Sequence, residues 1–293
     1  MKKNSFSTTV LLVAVISTIT YFGCKKSDST PTNTPTGPTI EVSIATDASL
    51  GSYLVDKDGY TLYFFSNDSK GRTSCTNGCA SYWPYFYAGA LTSDNLGAGL
   101  NIADFDTIVV NGASQTRYKG WPLYYYAPTG TTKEPAGQIT GESVSNWFVA
   151  KPNYTIMLAN GQLVGGNGIN YLSTYAVGDG KTDYFTDARG LTLYTFTVDS
   201  ANMNKFTHAD FLNNPSWPIY DTTAIVVPSA LDKTLFSSIN VFGHHQLTYK
   251  GWPLYYYGGD NKTQGLTKGI TVGPTPGSKW PIIVAGEAGA PHK

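Results

Sequence analysis

Beyond Cys24, which follows an apolar leader, this 293-residue chain keeps two cysteines, Cys75 and Cys79. In an exported chain a pair separated by three residues most simply forms a disulfide. The loop it closes is short, so the bond would contribute roughly 2 kcal/mol and pin a local turn, not hold the fold together. Left reduced, the same thiols could hold Cu(I) or exchange electrons, with Arg72 close by to favour the thiolate. Counted back from the Trp-Pro pair at 217–218, Ala209 and Asn213 stand where Cys75 and Cys79 precede Trp83-Pro84, so thiol chemistry would belong to one half of the chain only. No CxxCH occurs, so covalent haem attachment has no support.

Three aspartates, Asp68, Asp199 and Asp260, each follow a tyrosine by five residues. Each is predicted to leave a strand, where a carboxylate can accept hydrogen bonds from the N–H groups of a turn. Calcium would need several oxygens converging on one point. Asp56 and Asp58 are the only local supplement, and the matching DARG at 187–190 lacks the second acid. His244 and His245 invite a metal reading, but neighbours on a strand point to opposite faces. They align with Ala113 and Ser114, after a Gly, and a solvated turn is the expectation there; His208 is isolated. GxSxG, HExxH, GxxxxGK and GxGxxG are all missing from the sequence, so no catalytic residue, metal or cofactor is expected.

The elements that position these residues come from repetition. One pattern recurs as GYTLYFF (59–65), GWPLYYY (120–126), GLTLYTF (190–196) and GWPLYYY (251–257). Its fixed positions are Gly59, Tyr63 and Phe65, then Gly120, Tyr124 and Tyr126, then Gly190, Tyr194 and Phe196, then Gly251, Tyr255 and Tyr257. The glycines fall 61, 70 and 61 residues apart, so copies one and two repeat as copies three and four at an offset of 131. Residues 108–126 and 239–257 share 13 of 19 positions. A duplicated module of two units is the reading.

In each copy the glycine lies between two β-prone runs, which predicts a hairpin, since such turns need positive φ. Side chains then alternate, Leu62 and Phe64 to one face, Tyr63 and Phe65 to the other. Trp83, Trp147, Trp217 and Trp280 follow the four copies, three of them before proline, which places them at strand starts or edges. Further strands are expected at 108–110, ending in the Asn111-Gly112 hairpin signal, and at 225–227; helix is scarce, with candidates at 92–100 and 229–238.

Lys2 and Lys3, an apolar stretch from about Val10 to Phe22, then Gly23 and Cys24, read as an export leader ending in a lipid-modified cysteine. The stretch is shorter than the roughly 20 residues that span a bilayer. Residues 25–39 are rich in Ser, Thr and Pro and have no large apolar side chain, so they should act as a tether. The expected organisation is a signal peptide at 1–23, a tether at 24–39, β-repeat domains at 40–152 and 153–286, and a tail at 287–293. Formal charge is zero and charged residues make up 14% of the chain, well under the roughly 25% of typical globular proteins, and no basic patch points to nucleic acid. The fold class expected is all-β, two tandem homologous antiparallel domains of two hairpin repeats each; a four-bladed propeller-like ring also fits the unit length.

The copies run on into Tyr-x-aromatic-x-x-Asp at 63–68, 194–199 and 255–260. This resembles the exported bacterial family of secreted repeats, lipoproteins with a Yx(F/W/Y)xxD motif. The likeness extends to CxxxC before Trp-Pro and to the GWPLYYY units; copy two departs, with Thr129 where Asp is expected. The resemblance implies a lipid-anchored protein of the cell envelope, at the outer membrane or cell surface, and no defined activity. The expected function is non-enzymatic binding or scaffolding, with the membrane and an unknown envelope protein or glycan as partners. Copper handling or electron transfer, and glycan binding, are the alternatives.

Overall fold

Each motif glycine sits at a chain reversal, and the four reversals are of two kinds. The computed structural model describes residues 38–292, so the leader, Cys24 and most of the tether lie outside the described residues. Strands β1 (Val42–Asp47) and β2 (Gly51–Asp56) pair antiparallel; β3 (Tyr63–Phe65) follows. Then come a five-residue helix α1 (Gly78–Tyr82), β4 (Phe105–Val110), β5 (Ala113–Tyr118) and β6 (Trp121–Pro122). β7 (Trp147–Val149) pairs antiparallel with β3. In the second half β8 (Met157–Val164) pairs with β9 (Asn170–Tyr171) and β10 (Lys181–Thr186), and β11 (Phe236–Val241), β12 (His244–Tyr249) and β13 (Trp252–Pro253) form a meander. The result is all-β with small antiparallel sheets, two repeats to each half; the described residues form neither a closed barrel nor a propeller ring.

The turns explain themselves locally. Between β5 and β6, Lys119 and Gly120 have φ of 51° and 85°, and between β12 and β13, Lys250 and Gly251 have 48° and 83°. Two consecutive positive φ values are those of a type I′ hairpin, which suits the twist of the strands and favours glycine at the second position. In copies one and three the reversal is wider: Gly59 N–H donates to the Asp56 carbonyl, and Gly190 N–H to that of Asp187.

Within each half the motif strands of its two copies face each other. Tyr63 pairs with Tyr124, which also pairs with Tyr85, and β7 lies on the far side of β3. Tyr194, Tyr255, Ile219 and Ile282 repeat that arrangement. Alternation along the strand holds: Tyr63 and Phe65 pack with Trp83 and Trp147, while Leu62 and Phe64 enter other parts of the core. Phe64, with Trp121, Phe148 and Tyr154, joins the cluster that holds Tyr184, Phe185 and Tyr249, so the largest apolar core runs across the seam between halves. Arg189 pairs with Asp104 at 2.5 Å, and Ser229 donates to Glu142, across the same seam.

Several local expectations fail. The stretches 92–100 and 229–238 hold no α-helix: the first has a single 3-10 turn, Ser93–Asn95, and the second has Lys233–Leu235 running into β11, because Asn95 and Asp232 side chains bond nearby backbone and compete with helix. Residues 225–227 are not a strand; the Val226 carbonyl is taken by Thr155 and Ile156 N–H, a local crossing without a ladder. Of the four tryptophans only Trp147 begins a strand; Trp83 ends α1, and Trp217 and Trp280 lie in irregular backbone. Within the tail, Ala290 N–H donates to the Lys250 carbonyl, and the Trp252 indole donates to that of Ala288.

Candidate functional site

The residues of the repeat motif converge on buried carboxylates. Asp68 Oδ2 accepts from the Tyr124 hydroxyl at 2.5 Å, and its Oδ1 accepts from the backbone N–H and hydroxyl of Ser74 at 2.7 and 2.6 Å. Asp199 accepts from Tyr255 at 2.8 Å and from Lys205 N–H at 2.7 Å. Asp260 accepts from Tyr194 at 2.6 Å and from Lys268 N–H at 3.0 Å. The acid of one copy thus clamps the tyrosine of its partner copy to a loop. Tyr63 completes the scheme by donating to Glu134, whose other oxygen accepts from Thr140 N–H and hydroxyl. Copy two therefore lacks an acid at Thr129 and supplies it five residues later.

A second set of clamps lies outside the repeat motif's fixed positions. Asp56 Oδ1 accepts from the N–H groups of Asp58 and Tyr60 within its own turn, and Oδ2 accepts from Tyr125. Asp187 does the same with Arg189, Leu191 and Tyr256. Asp58, the other acid considered for calcium, pairs on the surface with Lys57. The signal was present: the aspartate opens both DxxG turns, and the clamping tyrosine is the central one of the three in each GWPLYYY.

Burial shapes the protonation of these groups. It pushes the carboxyls of Asp68 and Asp199 up to about 6, against the pull of the hydrogen bonds they accept. Asp187 and Asp260 move in the same direction for the same reason. Burial, reinforced by the adjacent carboxylates, raises Tyr124, Tyr194, Tyr255 and Tyr256 well above the ordinary phenol range. Chemically, these oxygens point at N–H and O–H donors and not at a shared centre. A cation would have to displace those donors, so the arrangement is one of cohesion.

Aromatic stacks lie beside the clamps. Trp83 and Trp147 stack with centroids 3.8 Å apart, flanked by Phe65 and Tyr126; Trp217 and Trp280 stack at 3.7 Å, flanked by Phe196 and Tyr257. All four indoles are buried. Such stacks add about 0.5–1.5 kcal/mol per pair beyond the area they bury.

Cys75 and Cys79 form a disulfide at the start of α1, and Cys75 packs against the first stack. The register with the second half differs from the count back from Trp-Pro. Six residues separate Asp68 from Ser74 and Asp199 from Lys205, so Cys75 corresponds to Phe206, while Cys79 corresponds to Asn213. The second loop is three residues longer, and Ala209 falls in the extra length. His244 and His245 begin β12 and are exposed, not in a turn; Asp221 accepts from or pairs with His244 Nδ1 at 2.7 Å and accepts from His245 N–H. Among the described residues no three His, Cys, Asp or Glu side chains gather as a metal site.

Among the described residues, two open clefts exceed 500 Å³. One of about 790 Å³ in the second half is lined by Leu191, Ile219, Tyr256, Tyr257, Asn261 and Lys262. At the matching place in the first half the Lys133 ammonium fills the space, 3.8 and 3.9 Å from the ring centroids of Tyr60 and Tyr125. The other cleft, about 600 Å³, lies along the seam.

The family described as a secreted repeat of unknown function matches residues 45–86 and 241–283. The first stretch holds Asp56, Tyr63, Asp68 and the disulfide; the second holds the last GWPLYYY, Asp260 and Trp280. No curated protein and no solved structure matches the chain.

Proposed function

We propose that this exported chain, which carries the secreted repeat at two places, is a lipid-anchored β-repeat protein of the bacterial cell envelope whose folded part binds or scaffolds without catalysis. One observation carries the reading: the motif tyrosines, acids and tryptophans face inward, into clamps and stacks, so the repeat serves to make a rigid body. The anchor would be Cys24, at the end of an apolar leader and ahead of a Ser/Thr/Pro-rich tether. A non-catalytic module on a tether holds whatever it binds at a fixed reach from the membrane. Fractionation of cells expressing wild type and Cys24→Ser tests the anchor: wild type should sediment with membranes and carry acyl chains by mass spectrometry, and the variant should not. Equal partitioning of the two would refute it.

Glycan binding is the second reading, favoured by the open cleft in the second half, where Tyr256 and Tyr257 are half-exposed beside Asn261 and Thr263. Rings and amides of this kind suit a sugar face and its hydroxyls. A glycan array separates it from protein scaffolding, with Tyr257→Ala as the variant that should lose any signal.

A further inference from the structure

The seam cleft of about 600 Å³ is walled by the β1–β2 turn, by the segment 225–233 and by Lys151. Lys151 is 9% exposed, yet among the described residues its ammonium makes no hydrogen bond and no ion pair; the ring centroid of Tyr154 lies 5.5 Å away. Lys233 lines the same cleft. Burial pulls the Lys151 ammonium below its ordinary range; Glu142 opposes this, and the charge of Lys233 adds to it. Glu142 is itself committed, accepting from Val149 N–H and from Ser229. Two lysines therefore line one opening, none of whose other lining residues is a carboxylate, and the Lys151 stem is covered while its ammonium reaches the open space of the cleft.

The fold does not require either lysine. Lys151 lies two residues past Val149 of β7, where the second half has Val284 two residues past Ile282. Lys233 opens a 3-10 turn capped by Asp232, and the matching turn in the first half, capped by Asn101, opens with Ile102. At the covered position of Lys151 the second half uses an apolar side chain, so packing there does not require the charge; Lys233 and its counterpart Ile102 are both exposed.

We propose that the seam cleft binds a small oxyanion-bearing molecule, its carboxylate or phosphate bridging Lys151 and Lys233 and its remainder lying on Leu50, Ile225 and Val226. This site stands independently of the lipid anchor and of the cleft in the second half. Neither lysine contributes to the clamps, so the site can fail while the module remains intact.

The test is calorimetric titration of the purified full-length chain with inorganic phosphate, glucose 6-phosphate and glucuronate at constant ionic strength. Saturable binding of at least one is expected. Response to both phosphates alone assigns the phosphate group; response to all three assigns any oxyanion; preference for the sugar-borne anions assigns a role to the apolar wall. Lys151→Met keeps the aliphatic stem and should weaken binding about tenfold or more, the loss expected of one charge-assisted contact, with Lys151→Arg restoring it. Lys233→Met, at an exposed position, gives the same reading should the Lys151 variant fold poorly. No saturable binding of any of the three, or binding indifferent to both Met variants, overturns the proposal.

Discussion

The two halves close the same corner by different means. In the first, Cys75 and Cys79 are joined covalently beside the Trp83–Trp147 stack, and the Cys75 carbonyl accepts from the Tyr85 hydroxyl. In the second, Phe206 takes the place of Cys75 and packs on Phe196 and Trp280, while the Asn213 amide donates to the Phe206 carbonyl. Phe206 fills with a ring the space that the first half fills with sulfur, and the longer loop can afford a hydrogen bond where the short one has a crosslink. What is common to both is the carboxylate clamp and the ring stack; the covalent bond is a local variant. The unit of this fold is therefore the clamp, and the disulfide is dispensable to the plan.

The largest effect should fall on what the halves share. Trp83→Ala and Trp217→Ala each remove a buried indole from a stack, and each should cost about 3–5 kcal/mol in urea unfolding. Near-equal losses support equivalence. A Trp83 variant that loses far less than Trp217 would show the disulfide carrying the first half after all.

Protonation sharpens the same point. Asp68 and Asp199 titrate near 6 in the folded chain, above the roughly 3.9 of an exposed aspartate. Between those values the folded state holds protons that the unfolded state has released, so stability from these groups is fullest in acid and is lost as pH rises through about 6. The shifts correspond to about 2–3 kcal/mol for each group. Asp68→Asn and Asp199→Asn should each flatten a similar share of the slope measured between pH 4 and 7 by denaturant unfolding. An effect confined to one variant would mean that only one clamp is truly buried. Reduction of Cys75–Cys79 comes next, at about 2 kcal/mol for so short a loop, with the loss of amide protection limited to the first half.

The sequence disclosed the plan of the fold better than its contacts. Gly59, Gly120, Gly190 and Gly251 marked the reversals because positive φ leaves a local trace, and strand alternation gave the faces of Tyr63 and Phe64. The pairing of tyrosines with acids from the partner copy left no such trace, since the bond from Tyr124 to Asp68 spans 56 residues. Glu134 lies off the motif's fixed spacing, because the geometry asks only for a carboxylate within reach of Tyr63. Alignment from Trp-Pro misplaced the partner of Cys75 because the extra loop residues lie between Phe206 and Asn213. The seam lysines were invisible, since Lys151 and Lys233 are 82 residues apart and nothing local tells that they line one cleft.

The smallest effect tests the corner itself. Asn213→Ala removes the bond to the Phe206 carbonyl and the one that its Oδ1 accepts from His208 N–H, both in a half-buried loop. Water can replace part of what is lost, so about 1 kcal/mol is expected, less than disulfide reduction costs the first half. Phe206 should stay in place through its contacts with Trp280, leaving near-ultraviolet circular dichroism of the stacked rings almost unchanged. If the Asn213 variant instead loses as much as the reduced protein and its ring signal collapses, the amide is the structural equal of the crosslink, and the ring of Phe206 is not what closes the second corner.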